Sequence, residues 1–353
     1  MMMHAVQLTS ARSPLRNARV PIPEPGPLDA LVRVDAAGIC RSDLHYRAGV
    51  SYAGPMPLTL GHEVAGRLER VGAGSSSVLE DFGINEGDRV AVHYLVSCGH
   101  CRECIAGREQ FCSHGQMIGK HRDGGFAEYV LAPVRNMVKI PAQVSSGAAA
   151  VMMCSTATAL HALRKAELMP GERVAVFGAG GLGMSAIQLA RAMGALDVFA
   201  VDIDPDRLAL AARLGAIPVD ARSGDPAEAI RMQTDGGVEC AVELLGLPQT
   251  IDGAIRSLAP LGRAAIAGIA EQPVAVDTYR DIVGREARIV GVSDHTRAEV
   301  EYALELAARG RLLFDDVVTK SVPLDAVAIN GVLDRLAEHG PGVRSVVVPT
   351  LPG

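Results

Sequence analysis

The 353-residue chain predicts an α/β protein in which a mainly β domain accompanies a doubly wound parallel sheet. Three observations predict it. Over residues 1–155, short strand-like stretches such as Leu31-Val32-Arg33-Val34 and Arg89-Val90-Ala91-Val92 are split by turn clusters, among them Pro21-Ile22-Pro23-Glu24-Pro25-Gly26-Pro27 and Val71-Gly72-Ala73-Gly74; short strands bounded by Gly and Pro read as a β domain. From about Ala157 apolar strands alternate with amphipathic helices, a pattern that calls for a parallel sheet covered on both faces. Finally, the length favours two or three domains over one. Apolar residues make up 48% and charged residues 21%, which excludes a disordered chain. The net charge of -6 argues against nucleic acid as a partner, because a phosphate-binding face shows as a basic surplus.

Within the second part, the clearest unit starts with the strand Arg173-Val174-Ala175-Val176-Phe177, passes through Gly178-Ala179-Gly180-Gly181-Leu182-Gly183 and enters a helix with Ala186, Ile187, Ala190 and Met193 on its apolar stripe. Gly194 ends that helix. The next strand, Val198-Phe199-Ala200-Val201, leads to Asp202, and Asp204-Pro205 supplies an N-cap and a first-turn proline for a helix that Gly215 closes. Further strands are expected at Val238–Val242 and Arg263–Ala267, with Val317–Thr319 and Ser345–Val348 beyond the parallel sheet. A glycine loop joining strand to helix lets bare backbone approach a pyrophosphate while the helix N-terminus offers unpaired N–H groups. Asp202, at the end of the following strand, can accept both ribose hydroxyls of an adenosine and repel a phosphate there, which favours NAD over NADP.

Seven cysteines are present. Cys98, Cys101, Cys104 and Cys112 are spaced C-x2-C-x2-C-x7-C, so four thiolates in one short loop can wrap a tetrahedral zinc with no open position. An iron–sulfur cluster or a redox pair are the competing readings of that spacing. Cys40 lies in Gly38-Ile39-Cys40-Arg41-Ser42-Asp43-Leu44-His45, and Gly61-His62-Glu63 follows. A lone Cys is ordinarily a small buried apolar residue, as Cys240 is expected to be. Two Cys and one His would instead leave a fourth position open, the arrangement of a catalytic zinc.

These motifs resemble those of the zinc-containing medium-chain alcohol dehydrogenases over nearly the whole chain. The GxCxxD segment stands at Gly38 to Asp43, GHE at Gly61 to Glu63, the four-cysteine lobe at Cys98 to Cys112, DGGFAEY at Asp123 to Tyr129 and the dinucleotide loop at Gly178 to Gly183. The resemblance implies a GroES-like catalytic domain (1–155), a Rossmann domain (156–294) and a C-terminal segment (295–353) that returns to the first. It implies a catalytic zinc on Cys40, His62 and Cys154, with Glu63 behind it as an alternative ligand, Asp43 orienting His62 and a second, structural zinc on the four-cysteine lobe. Arg41 is then assigned to the cofactor pyrophosphate, Gly178, Gly180, Gly181, Leu182 and Gly183 to the dinucleotide, Asp202 and Arg207 to the adenosine ribose, and Ser42 and His45 to a proton relay.

The implied activity is reversible hydride transfer between a primary or secondary alcohol and NAD. Polyol dehydrogenases commonly carry Glu as third ligand where this chain keeps Cys154, and a non-catalytic zinc-stabilised binding module is the reading from another class. Tyr94 is either a wall of the substrate pocket or half-buried packing, and His93, His100, His114 and His121 are expected to be solvated loop residues. The N-terminus MMMHAVQLTSAR lacks the apolar run of a secretory signal, so a cytoplasmic protein is expected. The charge-free stretch Ile140–Leu163 holds eight polar residues or prolines in its length and is expected to be a buried helix, with no membrane as partner. A homotetramer or homodimer is expected from the resemblance.

Overall fold

The computed structural model describes residues 1–314, 316–338 and 342–349. Its chain divides into two compact units: the described residues of Met1–Cys154, Thr296–Ala308 and Val318–Gly353, and those of Ser155–His295 and Arg309–Val317.

In the first unit the eleven-residue strand Asp29–Ile39 is the organiser. Only Arg33 along it is exposed, so the clean alternation read at Leu31–Val34 does not hold: the strand is covered on both faces. It pairs antiparallel with Glu63–Val71, Tyr129–Pro133 and Arg344–Val348, inside a seven-stranded sheet that continues through Arg89–Val92 and Met137–Lys139 on one side and Val318–Pro323 on the other. The two late strands, expected beyond the parallel sheet, therefore belong here. The register sets Gly38 opposite Glu63 and Val346 opposite Gly38. A Cβ at Gly38 would run into the buried Glu63 carboxylate, so any side chain here would have to displace it.

Six parallel strands form the second unit's sheet in the order Ile217–Asp220, Val198–Asp202, Val174–Phe177, Val238–Glu243, Leu258–Ile266, Arg288–Gly291. Val174–Phe177 and Val198–Asp202 are buried along their whole length, as strands covered on both faces must be. Two strands were not foreseen: Ile217–Asp220 is interrupted by Pro218, and Arg288–Gly291 is an edge strand with a charged start. The strand order reverses between Val174–Phe177 and Val238–Glu243, the place where such sheets bind ligands beyond their carboxyl ends.

Ser146–Lys165 is a helical run long and apolar enough to cross a membrane by length and mean hydropathy, but 78% of its most apolar window is buried. It is a core helix, as expected of this stretch. A five-residue π turn, Met152–Thr156, interrupts it and carries Cys154; such bulges commonly mark functional positions because they re-aim a side chain.

Candidate active site

Cys40 immediately follows the organiser strand and caps the helix Arg41–Ala48. Asp43 closes this helix start: its Oδ2 accepts the Cys40 backbone N–H at 2.9 Å, and its Oδ1 accepts the Gly61 N–H at 3.3 Å and faces His62 Nδ1 at 3.4 Å. One fully buried carboxylate thus holds both the Cys40 turn and the Gly61-His62 turn and, by facing Nδ1, leaves Nε2 as the imidazole nitrogen that could serve as a ligand. The ligand atoms of Cys40, His62, Glu63 and Cys154 all lie within 4.8 Å of one another, and all four residues are buried. Cys40 Sγ and Cys154 Sγ are 4.0 Å apart.

The electrostatics fit a cation at the centre. Its contact with the Cys154 thiol, helped by His62 and Arg344 against burial, holds the Cys40 thiol well below its ordinary range, while that same contact and burial push the Cys154 thiol well above it. Two neighbouring thiolates repel, and a divalent ion between them removes the conflict. Burial opposes protonation of His62, but Asp43 and Cys40 overcome it and raise the imidazole well above its usual value. Burial drives the Glu63 carboxyl up to about 8 against the pull of Arg344, whose own charge Glu63 and the thiols reinforce despite its burial.

Arg344 is the residue that sequence reasoning missed here. It forms a buried, hydrogen-bonded ion pair with Glu63, delivered by the strand that pairs Ser345 with Ile39. Nothing local marks it, because the pairing joins positions 281 residues apart.

Ser42 Oγ lies 3.8 Å from Cys40 Sγ, and His45 follows three residues later on the same helix face. Tyr94 is fully buried, not half-buried, with its ring edge-on to His62 at 5.1 Å and 81°. Tyr46 also meets His62 edge-on, at 6.5 Å. His93 corrects the expectation of a solvated loop residue: it is only 2% exposed, and burial, helped by Arg297, lowers its imidazole to about 3. His100 and His114 are exposed as expected, whereas His121 is half-buried and accepts the Met117 N–H on Nδ1.

In the four-cysteine lobe, Cys101 Sγ is 3.5 Å from Cys104 Sγ and 3.9 Å from Cys112 Sγ, and Cys98 Sγ is 4.0 Å from Cys104 Sγ. Tetrahedral thiolates about 2.3 Å from zinc stand about 3.8 Å apart, so these separations fit zinc. Cys240 belongs to neither cluster and is fully buried in the second unit.

Gly178 has a φ of 97°, and a Cβ at Gly183 would meet Gly178 O at 1.8 Å. Gly180 caps the helix Gly181–Ala192 and has open space where a Cβ would stand, and Leu182, in the first turn, is half-buried. Asp202 is only 6% exposed. It was foreseen as a ribose acceptor, but its carboxylate also holds the loop: Oδ2 accepts from Ala179 N at 2.7 Å, and Oδ1 from Ile203 N and Asp204 N at 2.8 and 3.0 Å. Arg207 Nε stands 3.6 Å from Asp204 Oδ2, and Arg41 opens the Arg41–Ala48 helix of the first unit.

A parallel sheet with a dinucleotide loop, a closed four-thiolate site and a buried cysteine–histidine cluster together define a zinc-binding, dinucleotide-dependent oxidoreductase. Comparison with known proteins agrees. Residues 26–142 match the alcohol dehydrogenase GroES-like domain and residues 181–309 the zinc-binding dehydrogenase domain. The chain is 36% identical over 96% of its length to an alcohol dehydrogenase of Rhizobium meliloti, of which it covers 96%, and 33% identical over 98% to an NAD-dependent alcohol dehydrogenase of Sulfurisphaera tokodaii, of which it covers 100%. Among solved structures, a zinc-binding dehydrogenase of Sinorhizobium meliloti bound to NADP superposes with a TM-score of 0.89 at 32% identity, covering 99% of this chain and 100% of that one. The protein belongs to the zinc-containing medium-chain alcohol dehydrogenase family.

Proposed function

We propose that this protein catalyses reversible hydride transfer between a primary or secondary alcohol and NAD, with Cys40, His62 and Cys154 holding a catalytic zinc and Cys98, Cys101, Cys104 and Cys112 a structural one. The observation that carries this reading is the buried cluster of two thiols, an imidazole and a carboxylate beside Ser42. Bound there, zinc supplies Lewis acidity that brings an alcohol's ionisation toward neutrality and polarises a carbonyl in reverse.

The chain's own residues do the rest. Ser42 Oγ takes the alcohol proton and passes it to His45, which releases it to solvent. Asp43 fixes the imidazole tautomer, Arg344 restrains Glu63 as the reserve donor, and Tyr94 and Tyr46 keep the surroundings of His62 dry. Within the second unit the glycine loop from Gly178 to Gly183 seats the pyrophosphate and Asp202 accepts the adenosine ribose with Arg207 nearby; Arg41 is assigned to the pyrophosphate by the resemblance alone. The resemblance further supports residues 1–155 and 295–353 as the catalytic domain and 156–294 as the nucleotide domain.

The outer edge of Arg288–Gly291 has no partner strand among the described residues, and Ile269, Tyr279 and Val283 are exposed in the same unit. An open edge of this kind favours pairing with a second copy, in keeping with a homodimer or homotetramer; we place the enzyme in the cytoplasm. The deciding experiment is a panel of alcohols and of aldehydes and ketones, run with NAD and NADP in parallel on protein with its metal content measured. Nicotinamide reduction by at least one alcohol is expected, and none with either cofactor on fully zinc-loaded protein refutes the reading.

A further inference from the structure

Beside the His62 cluster stands a charge that the chemistry above leaves unused. Gly119 packs its backbone on the ligand-bearing turn: a Cβ there would lie 2.8 Å from Gly61 C and 2.9 Å from His62 N. The next residue, Lys120, is half-buried. Its backbone is pinned, because its carbonyl accepts the Gly54 N–H at 2.6 Å. Its ammonium lies 5.6 Å from the centre of the Tyr46 ring, and that ring is edge-on to His62 at 6.5 Å. The ammonium is therefore no more than about 12 Å from the His62 ring, with an aromatic face as its neighbour. No carboxylate stands within ion-pair distance of Lys120 among the described residues, whereas Lys139 in the same unit is paired with Asp88 at 2.8 Å.

A half-buried ammonium held over an aromatic ring, without an anion of its own, is a receptor for one. Resting on the alcohol dehydrogenase reading, we infer that the substrate carries an anionic group, a carboxylate or a phosphate, a few bonds from the hydroxyl that reacts, and that Lys120 receives it. Ser42 and the cluster then address the hydroxyl end while Lys120 addresses the charged end. The two contacts fix which carbon is presented for hydride loss. Lys120 is a specificity residue in this scheme and takes no part in proton or hydride transfer.

Three alcohols of one chain length test this: the neutral alcohol, the same chain ending in a carboxylate, and the same chain ending in a phosphate. Their kcat/KM values are measured with the zinc-loaded parent, K120M and K120R. A charge-assisted contact is worth about 10–100-fold, so the parent is expected to favour one anionic alcohol over the neutral one by that factor. The ratio should collapse toward one in K120M and survive in K120R, and the anion with the larger ratio identifies the group. A parent ratio near one, or an unchanged ratio in K120M, overturns the inference. Should the parent oxidise none of the three, nor any alcohol of the wider panel, the dehydrogenase reading fails separately. Calorimetric titration of the parent and K120M with the matching carboxylate and phosphate lacking the hydroxyl then decides Lys120: weaker binding in K120M supports the anion site, and equal binding removes it.

Discussion

At the scale of single residues, Asp43 and Ser42 carry the sharpest expectations. Asp43 touches Cys40, Gly61 and His62 at once, so Asp43→Asn keeps the shape but replaces one acceptor oxygen with a donor. Losses of about 10–100-fold in zinc affinity or kcat/KM are expected, measured by zinc retention against a chelator and by steady-state rates; retention equal to the parent's would assign Asp43 a packing role only. Ser42→Ala removes the hydroxyl proposed to take the alcohol proton and should cost about 10²–10⁴-fold in kcat/KM. His45→Gln should cost less, since water can replace an imidazole at the end of a path, and part of its lost rate should return at higher pH or with a small external base. A Ser42→Ala enzyme at parental rate would place the proton's exit elsewhere. Asp202 holds the loop through Ala179 and is proposed to accept the adenosine ribose, so Asp202→Gly is expected to move the NAD-to-NADP ratio of kcat/KM toward NADP and to lower stability as well. An unmoved ratio would leave Asp202 as a loop anchor alone.

At the scale of elements, the two proposed zinc sites are expected to have separable tasks. The four-cysteine lobe is built on short pieces, the helix Arg102–Ile105 and the one-turn Glu109–Phe111, with its cysteines partly exposed. Such a lobe has little core of its own, and metal binding contributes to its folding free energy. Cys101→Ser is expected to lower Tm and halve the zinc content while leaving measurable turnover in the folded fraction. Cys40 instead directly follows a strand paired along its length, and Cys40→Ser should abolish turnover with a near-parental melting curve. One zinc per chain in fully active parent protein would contradict this division.

For the whole molecule, a single buried arginine shows how stability depends on pH. In the second unit Arg263 donates to the carbonyls of Ala166 and Glu167 and, by two bonds, to the Glu172 carboxylate, closing the end of the helix Ala157–Lys165 onto the sheet. Against the penalty of partial burial, the bonds from Arg263 and the Met169 amide lower the Glu172 carboxyl below its usual value. A carboxyl lowered in the folded state stabilises above its unfolded value, near 4.3, and that contribution is lost as pH falls through the folded value. Glu172→Gln should therefore lower Tm at pH 7, and the gap between parent and variant should close below about pH 4. A gap that stays constant to low pH would show that the carboxylate charge contributes nothing.

How much was legible in the chain follows from the range of each interaction. The glycine loop, the four-cysteine spacing and the Asp204-Pro205 helix start are short-range patterns, and the sequence by itself determined them because their chemistry needs neighbours within a few positions, whereas Cys40 and Asp43 were given their roles by the resemblance. Cys154 was reached only through resemblance, since no spacing links it to Cys40, 114 residues away. Tertiary structure alone decided the rest. The register of Asp29–Ile39 against Glu63–Val71 and Arg344–Val348 brings Arg344 onto Glu63, burial turns His93 from a loop residue into a core one, and the close packing of Gly119 on His62 sets Lys120 beside the cluster. Strand pairing and burial depend on partners tens to hundreds of residues apart, and a linear pattern carries no record of which of two apolar or charged positions will meet.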